Sequence, residues 1–367
     1  MTLSLSADRP HGAPWWGVAL LSLVGLPLGV VLSAVAPLDP AAMGPVAVAG
    51  SVALALTMIV LGHATRGVAA PFACCACFLA VIWLCSPAER LVFVSDRDTP
   101  GRTQIFAVNA AGGSADRLTA SAGQDESPAL AVTGRLAFTR QIGDRERIYL
   151  ADQNGGGVTP LPGSEANDRR PAWSPDGRWL AFASDRGGDW EIYVVASDGT
   201  QLRGLTRHPG RDDWPTWAPD GRHLAFTSDR DGQSRLFIVD SDGNDDTVFD
   251  TGELPMSQPA WSPDGTTLAF VATLSGGDNR ICTALIAGSQ RRCLTPPGRY
   301  STPTWSPSGT RLAYAAASDG GDDILVIPAT GGAPRNVSRH ASINAAPTWA
   351  QGGLRILNER LRIRPVN

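Results

Sequence analysis

The 367-residue chain contains no lysine; every basic residue is arginine. That absence fits a GC-rich coding bias and points to no function. The arginines are scattered, the net charge is a mild −4, and no basic run forms. Phosphate backbones are held by a concentrated positive face, so nucleic acid is not an expected partner. Histidine is scarce as well, with five in the chain. His11 and His63 flank apolar stretches, while His208, His223 and His340 fall in three different stretches of a repeating pattern. They could meet only at a shared rim, so no catalytic triad is expected. No G-x-S-x-G elbow is present, which argues against a peptidase. Neither H-E-x-x-H nor paired C-x-x-C motifs occur, so zinc has no support. No cofactor or metal site is expected, and the chain reads as a non-enzyme.

Charge is missing altogether from much of the N-terminal part. Between Pro10 and Ala88 the only formal charges are Asp39 and Arg66. Three charge-free stretches, at about 15–38, 44–62 and 67–85, each match the length of a helix crossing roughly 30 Å of hydrocarbon. Trp15, Trp16 and Trp83 lie near their ends, where amphipathic rings favour the interface. A cleaved signal peptide would account for the first stretch alone, so residues 1–88 are expected to be a membrane region of three helices. Cys74, Cys75 and Cys77 sit mid-stretch without histidine or acid beside them, and read as small apolar thiols. Arg9 precedes the first stretch and Arg66 lies between the second and third. The positive-inside tendency then places the N-terminus in the cytoplasm and everything after Ala88 outside.

From Glu89 onward the composition changes to charges, glycines and turn formers, and no helical period appears. A repeat takes its place. Trp173, Trp217, Trp261, Trp305 and Trp349 are each 44 residues apart, and Leu130 holds the corresponding place one repeat earlier. A turn follows the tryptophan: Ser-Pro-Asp176-Gly177, Ala-Pro-Asp220-Gly221, Ser-Pro-Asp264-Gly265 and Ser-Pro-Ser-Gly at Ser306. Proline presets φ there, aspartate bonds the local backbone, and glycine takes the left-handed position. Next come an apolar trio such as Leu180-Ala-Phe, a second apolar strand such as Ile192-Tyr-Val, and a short strand ending in Leu-Thr. Four short strands per 40-odd residues are the mark of a propeller blade, which buries its faces only by stacking on its neighbours.

The first repeat, from Arg90, has no tryptophan strand before it, and the C-terminus supplies a spare one ending at Trp349. If that strand joins the first blade, an all-β propeller of six four-stranded blades closes over residues 89–349. Residues 350–367 then form a tail or, in the alternative, part of a seventh blade. Ser-Asp-Arg recurs at Ser95, Ser184 and Ser228 after the same strand, and is expected to fix a loop by local hydrogen bonds. The run Asp240 to Asp246 has its glycine two places early for an EF-hand and aligns with a hairpin turn. Cys282 and Cys293 fall on neighbouring strands joined by a turn at Ala287-Gly288. Counting back from that turn sets them opposite each other, as a cross-strand disulfide or as two buried thiols.

The pattern P-x-W-S-P-D-G-x-x-L-A-F-x-S-D-R, with I-Y-V, D-G and L-T after it, resembles the TolB propeller family, and more distantly the propellers of prolyl-oligopeptidase-type peptidases. The resemblance spans Glu89 to Trp349 and implies a periplasmic interaction module of the cell envelope. In place of the separate soluble N-terminal domain and cleaved signal of TolB itself, this sequence has its three apolar stretches, so a part in the Tol-Pal system is not implied. The expected function is a membrane-anchored, extracytoplasmic, non-catalytic binding module whose partner is a protein or an envelope polymer. The alternatives are a ligand-sensing subunit of a membrane signalling system, or a gating propeller for a separate hydrolase.

Overall fold

A computed structural model describes residues 89–350, apart from 245, 250, 251, 253, 289, 290, 319 and 341. The expected membrane helices and the tail beyond Ala350 lie outside the described residues. The chain divides into two units, Met1–Ser86 and Pro87–Asn367, and the described residues all belong to the second. Among the described residues no helix is long and apolar enough to cross a membrane.

Twenty-four strands form six antiparallel sheets of four. Blade 1 contains β1 (Arg90–Ser95), β2 (Gln104–Asn109) and β3 (Asp116–Arg117). Blade 2 is β4 (Gln124–Leu130), β5 (Arg135–Ile142), β6 (Arg145–Asp152) and β7 (Thr159–Pro160). Blade 3 is β8 (Asp168–Trp173), β9 (Trp179–Ser184), β10 (Glu191–Ala196) and β11 (Arg203–Gly204). Blade 4 is β12 (Asp212–Trp217), β13 (His223–Ser228), β14 (Arg235–Asp240) and β15 (Thr247–Phe249). Blade 5 is β16 (Met256–Trp261), β17 (Thr267–Thr273), β18 (Asn279–Leu285) and β19 (Arg291–Cys293). Blade 6 is β20 (Tyr300–Trp305), β21 (Arg311–Ser318), β22 (Gly321–Pro328) and β23 (Arg335–Asn336). The last strand, β24 (Asn344–Trp349), returns to blade 1 and pairs with β1, Leu91 opposite Trp349.

Six blades are therefore complete, and the described residues contain no seventh. The inner strands touch in the order β4, β8, β12, β16, β20, β24 and back to β4, which closes the ring. The aromatic of each apolar trio is the centre of its blade. Phe93, Phe138, Phe182, Phe226, Phe270 and Tyr314 are at most 1% exposed, each removing a large apolar surface from water.

Two recurring sequence marks have clear local causes. The hydroxyl of the Leu-Thr mark accepts a hydrogen bond from the backbone N–H at the start of the third strand. The pairs are Ile105 with Thr119, Ile192 with Thr206 and Ile281 with Thr295, at 2.9–3.0 Å. In the turn after each tryptophan, Asp176 accepts from the Ser174 hydroxyl and the Arg178 N–H, and Asp264 from the Ser262 hydroxyl and the Thr266 N–H. Asp220 accepts from the N–H groups of Arg222 and His223. Gly177, Gly221 and Gly265 hold φ of 66–71°, the left-handed region that favours glycine, and a Cβ at 177 would press on the Thr133 side chain of the preceding blade at 3.0 Å.

Tryptophan ties neighbouring blades together. The indole N–H donates to the carbonyl just before the tryptophan position of the previous blade: Trp217 to Ala172, Trp305 to Ala260 and Trp349 to Thr304, at 3.1–3.2 Å. The corresponding nitrogens of Trp173 and Trp261 are buried with no hydrogen-bond partner among the described residues.

Candidate functional site

The inner strands surround a channel of about 410 Å³. Every one of them slips register at the same point, two or three residues from its start. At that bulge the residue before a proline adopts a left-handed backbone: Ser127, Arg170, Trp214, Gln258, Thr302 and Ala346, with φ of 46–56°. None is glycine, and an L-residue in this conformation costs about 1–3 kcal/mol. Local bonds help to hold the bend. The Arg170 N–H donates to the Thr139 hydroxyl and the Gln258 N–H to the Thr227 hydroxyl, each from the second strand of the blade before. The Thr302 N–H donates to the Gln258 side-chain carbonyl at 2.5 Å. All six bulge residues line the channel, so one repeated backbone device presents six different side chains to a common space.

The two sides of this ring differ. On blades 2 to 4 it is charged and aromatic. Arg169, Arg170 and Arg211 converge on one carboxylate oxygen of Asp213, at 2.7 Å from Arg169 and 3.2 Å from Arg211. Arg169 also lies 3.7 Å from Glu146 and stacks 3.5 Å from the Trp190 ring, while Arg170 stacks 3.8 Å from the Trp214 ring. Burial disfavours the Asp213 charge, but Arg170 and Arg169 outweigh it and hold the carboxyl below its usual range. Burial lowers the Arg169 guanidinium, with Asp213 opposing. Glu126 moves the other way: burial pushes its carboxyl up, Glu146 adds to the shift, and Arg170 works against it. On blades 5, 6 and 1 the same ring levels hold Ser257, Gln258, Ser301, Thr302, Ala345 and Ala346, which are small or neutral.

The Ser-Asp-Arg marks do fix loops, and do more besides. Asp185 accepts from the backbone and side chain of Asn167, Asp229 from the Arg211 N–H, and Asp96 from the Gly101 N–H. The arginines reach to the head of the inner strand, Arg186 to Asp168 and Arg230 to Asp212 at 2.9 Å, where both carboxylates are fully buried. In blade 2, Arg140 plays the same part with Asp125 at 2.6 Å, and in blade 1 Arg97 bonds Asn344 at 3.0 Å. Each arginine also covers a cross-strand aromatic pair, as Arg230 does over Phe226 and Phe237.

Cys282 and Cys293 stand opposite each other in the ladder of β18 and β19 and are joined as a disulfide. Asp240 accepts from the N–H groups of Asp242 and Asn244, which makes that acidic run a turn. The histidines stay apart. His208 lies between β11 and β12, His223 pairs with Asp220 in an exposed turn, and His340 lies between β23 and β24. No catalytic constellation is evident among the described residues. Of the repeat positions, Asp176, Asp220 and Asp264 fix their own turns, Trp217, Trp305 and Trp349 bond the neighbouring blade, and Trp173, Trp217, Trp261 and Trp305 line the channel. Sequence reasoning missed the bulge ring and the arginine cluster. Their signal was the residue before the repeat's proline, which varies while its frame does not.

Comparison with known proteins places this architecture. A family model described as the TolB beta propeller domain matches residues 165–248 and 233–361. Among solved structures, TolB from Acinetobacter baumannii superimposes with a TM-score of 0.66 at 24% identity, covering 71% of this chain and 66% of that one. The chain thus spans just under two thirds of that protein's length. A structure of a nidogen/laminin complex superimposes with a TM-score of 0.57 at 15% identity, covering 71% of this chain and 98% of that one. At these identities the likeness is one of fold.

Proposed function

The chain belongs to the TolB β-propeller domain family, and from that premise we propose that it is a non-catalytic binding module whose ligand enters the central channel at the bulge ring. The observation that carries the reading is the ring itself: strained backbone repeated six times, with six different side chains aimed at one cavity. Strained backbone persists where the surrounding structure over-determines it, and such residues cluster at active sites and ligand clamps.

The module is tethered to a membrane by the stretches at about 15–38, 44–62 and 67–85, with the N-terminus cytoplasmic and the propeller outside. Support comes from the missing charges of those stretches and from the Cys282–Cys293 disulfide, since such bonds persist in oxidising compartments. Its partner is a component of the cell envelope. A reporter fused after Asn367 tests the side: activity outside the membrane is expected, and activity in the cytoplasm overturns the placement. A photo-reactive residue at Gln258 tests the channel, with Ile142 on the outer surface as the comparison. A specific adduct at 258 that Trp214→Ala abolishes is expected. No adduct at 258, or equal adducts at 258 and 142, overturns the binding role.

A further inference from the structure

The ionic clasps of blades 2, 3 and 4 differ at one atom. Arg140 bonds both oxygens of Asp125, and Arg186 both oxygens of Asp168, at 2.6–3.0 Å. Arg230 reaches only Oδ2 of Asp212. Its other nitrogens go to the Ser228 hydroxyl and to Asp246. Asp212 Oδ1 is left buried without a partner among the described residues. Within hydrogen-bond reach of this carboxylate lies a second acid, Glu191 of blade 3, itself buried. Glu191 accepts from the Thr206 hydroxyl and the His208 N–H, each at 2.5 Å. The Asp212 N–H donates to the Trp190 carbonyl at 2.8 Å, which fixes the head of β12 beside the head of β10. The same backbone bond sets Asp125 beside Gln104 and Met256 beside Arg235. The remaining seams carry Arg147 with Asp168, Arg280 with Tyr300 and Asp323 with Asn344 at these positions. Among the described residues, only the seam between blades 3 and 4 sets acid against acid in this way.

Two carboxylates in contact have no hydrogen between them, and in a buried place they repel strongly. A calcium-like cation asks for six or more oxygens, and of the four here three already face donors. A proton needs only two. Burial raises the Glu191 carboxyl and Asp212 adds to the shift, while the Thr206 hydroxyl and the His208 N–H oppose it. The other charged groups around the pair have partners of their own. Arg186 holds Asp168 across β9, Arg230 also meets Asp246, and Arg211 meets Asp213. We propose that Glu191 and Asp212 hold one proton between them, and that losing it as the pH rises opens the seam between blades 3 and 4. Asp212 leads directly into Asp213 and the Trp214 bulge, so the opening loosens the charged side of the bulge ring. The sign follows from linkage, because the folded chain binds this proton more tightly than the unfolded chain does. Below the ordinary glutamate range, about 4.3, the pair leaves stability untouched, and it subtracts from stability as the pH climbs through the raised range.

The test uses the full chain in detergent micelles and two variants, Glu191→Gln and Asp212→Asn. Each copies what blade 1 carries at the same place, Gln104 and Asn344, so the fold accommodates both. Infrared difference spectra at about pH 6, where ordinary carboxyls are ionised, read the proton. A protonated-carboxyl band is expected in the wild type and is expected to be lost in both variants. Glu126 is present in all three chains and cancels in the difference. A band that survives in Asp212→Asn assigns the proton to Glu191 alone and overturns the sharing, as does a wild type with no such band. Hydrogen exchange followed by mass spectrometry reads the seam, wild type against Glu191→Gln at each pH so that intrinsic exchange cancels. Over residues 206–213 the ratio of rates is expected to rise tenfold or more from about pH 5 to about pH 8. Around Asp168, at the seam between blades 2 and 3, it is expected to stay constant. A ratio at 206–213 that ignores pH, or an equal rise at both seams, overturns the opening.

Discussion

Blades 3 and 5 solve one structural problem with different chemistry. In blade 3 the head of the inner strand is Asp168, fully buried and bonded by Arg186, whose guanidinium lies over Phe182 and Tyr193. Blades 2 and 4 repeat this clasp, and blade 1 keeps a neutral form of it. In blade 5 every part is exchanged at once. Met256 stands where the aspartate would be, Ala272 faces it in place of serine, and no arginine follows. The aromatic opposite Phe270 is replaced by Cys282, bonded to Cys293 on the outermost strand. Blade 6 is apolar at the same place, with Tyr300 against Tyr314 edge to face. The ionic clasp must be exchanged as a unit, because a buried charge without its partner is worse than no charge at all. The covalent version is indifferent to pH and salt but depends on the redox state of its surroundings.

The two blades are set apart most strongly by Asp168→Ala, which strands the Arg186 guanidinium. A loss of about 3–5 kcal/mol is expected, read from the urea midpoint of the full chain. Replacing the pair together, Asp168→Met with Arg186→Met, should recover most of that loss; a double variant as unstable as the single would show that packing, not charge, is at stake. Next in size is the blade 5 bond. Cys282→Ala with Cys293→Ala closes no loop across the eleven-residue separation and should cost about 2–3 kcal/mol. The same shift is expected on adding reductant to the wild type, and reductant should leave the double variant unmoved. A smaller effect separates the tryptophans. Trp305→Phe loses the bond to the Ala260 carbonyl and should cost about 1 kcal/mol more than Trp261→Phe, whose indole nitrogen has no such partner; thermal melts compare them.

The smallest effect has a sign fixed by proton linkage. The Glu126 carboxyl is raised on folding, so the folded chain holds its proton more tightly than the unfolded chain does. Its charge therefore opposes folding above the ordinary glutamate range and is without effect below it. Glu126→Gln should be the more stable protein at pH 7, and the two should converge as the pH falls below about 4.3. Asp213 has the opposite sign: its stabilisation is present at neutral pH and fades as the pH falls through its lowered range. Stability against pH for the two variants, Glu126→Gln and Asp213→Asn, would show opposite trends.

Much of the frame is legible in the sequence because it is local. Proline, aspartate and glycine after each tryptophan dictate a turn, and a two-residue period dictates strands. The 44-residue spacing dictates stacked copies, and the lone tryptophan strand at the C-terminus dictates closure on blade 1. The opposition of Cys282 and Cys293 follows from counting back through a hairpin. The arginine clasps were hidden because their partners lie fifteen to eighteen residues upstream across a bulged pairing, whose register no two-residue period foretells. The bulge ring was hidden because left-handed backbone before proline runs against ordinary preference. Tertiary packing imposes it, and single positions do not announce it. Even so, the joint loss of Asp168-like and Arg186-like residues from blades 5 and 6 is visible within the one chain.

Closure of the ring by β24 on β1 also sets a condition on manufacture. Blades 2 to 6 each consist of consecutive strands and can pair as the chain emerges. The sheet that begins first is finished last, since its innermost strand is Asn344–Trp349. Until then the β1 edge is open and the inner strands β4 and β20 lack a neighbour, a template for pairing with other chains. A product released early, short of Trp349, would keep that exposed edge for good. The propeller thereby proofreads its own length: only a chain translated through its last repeat can hide its first.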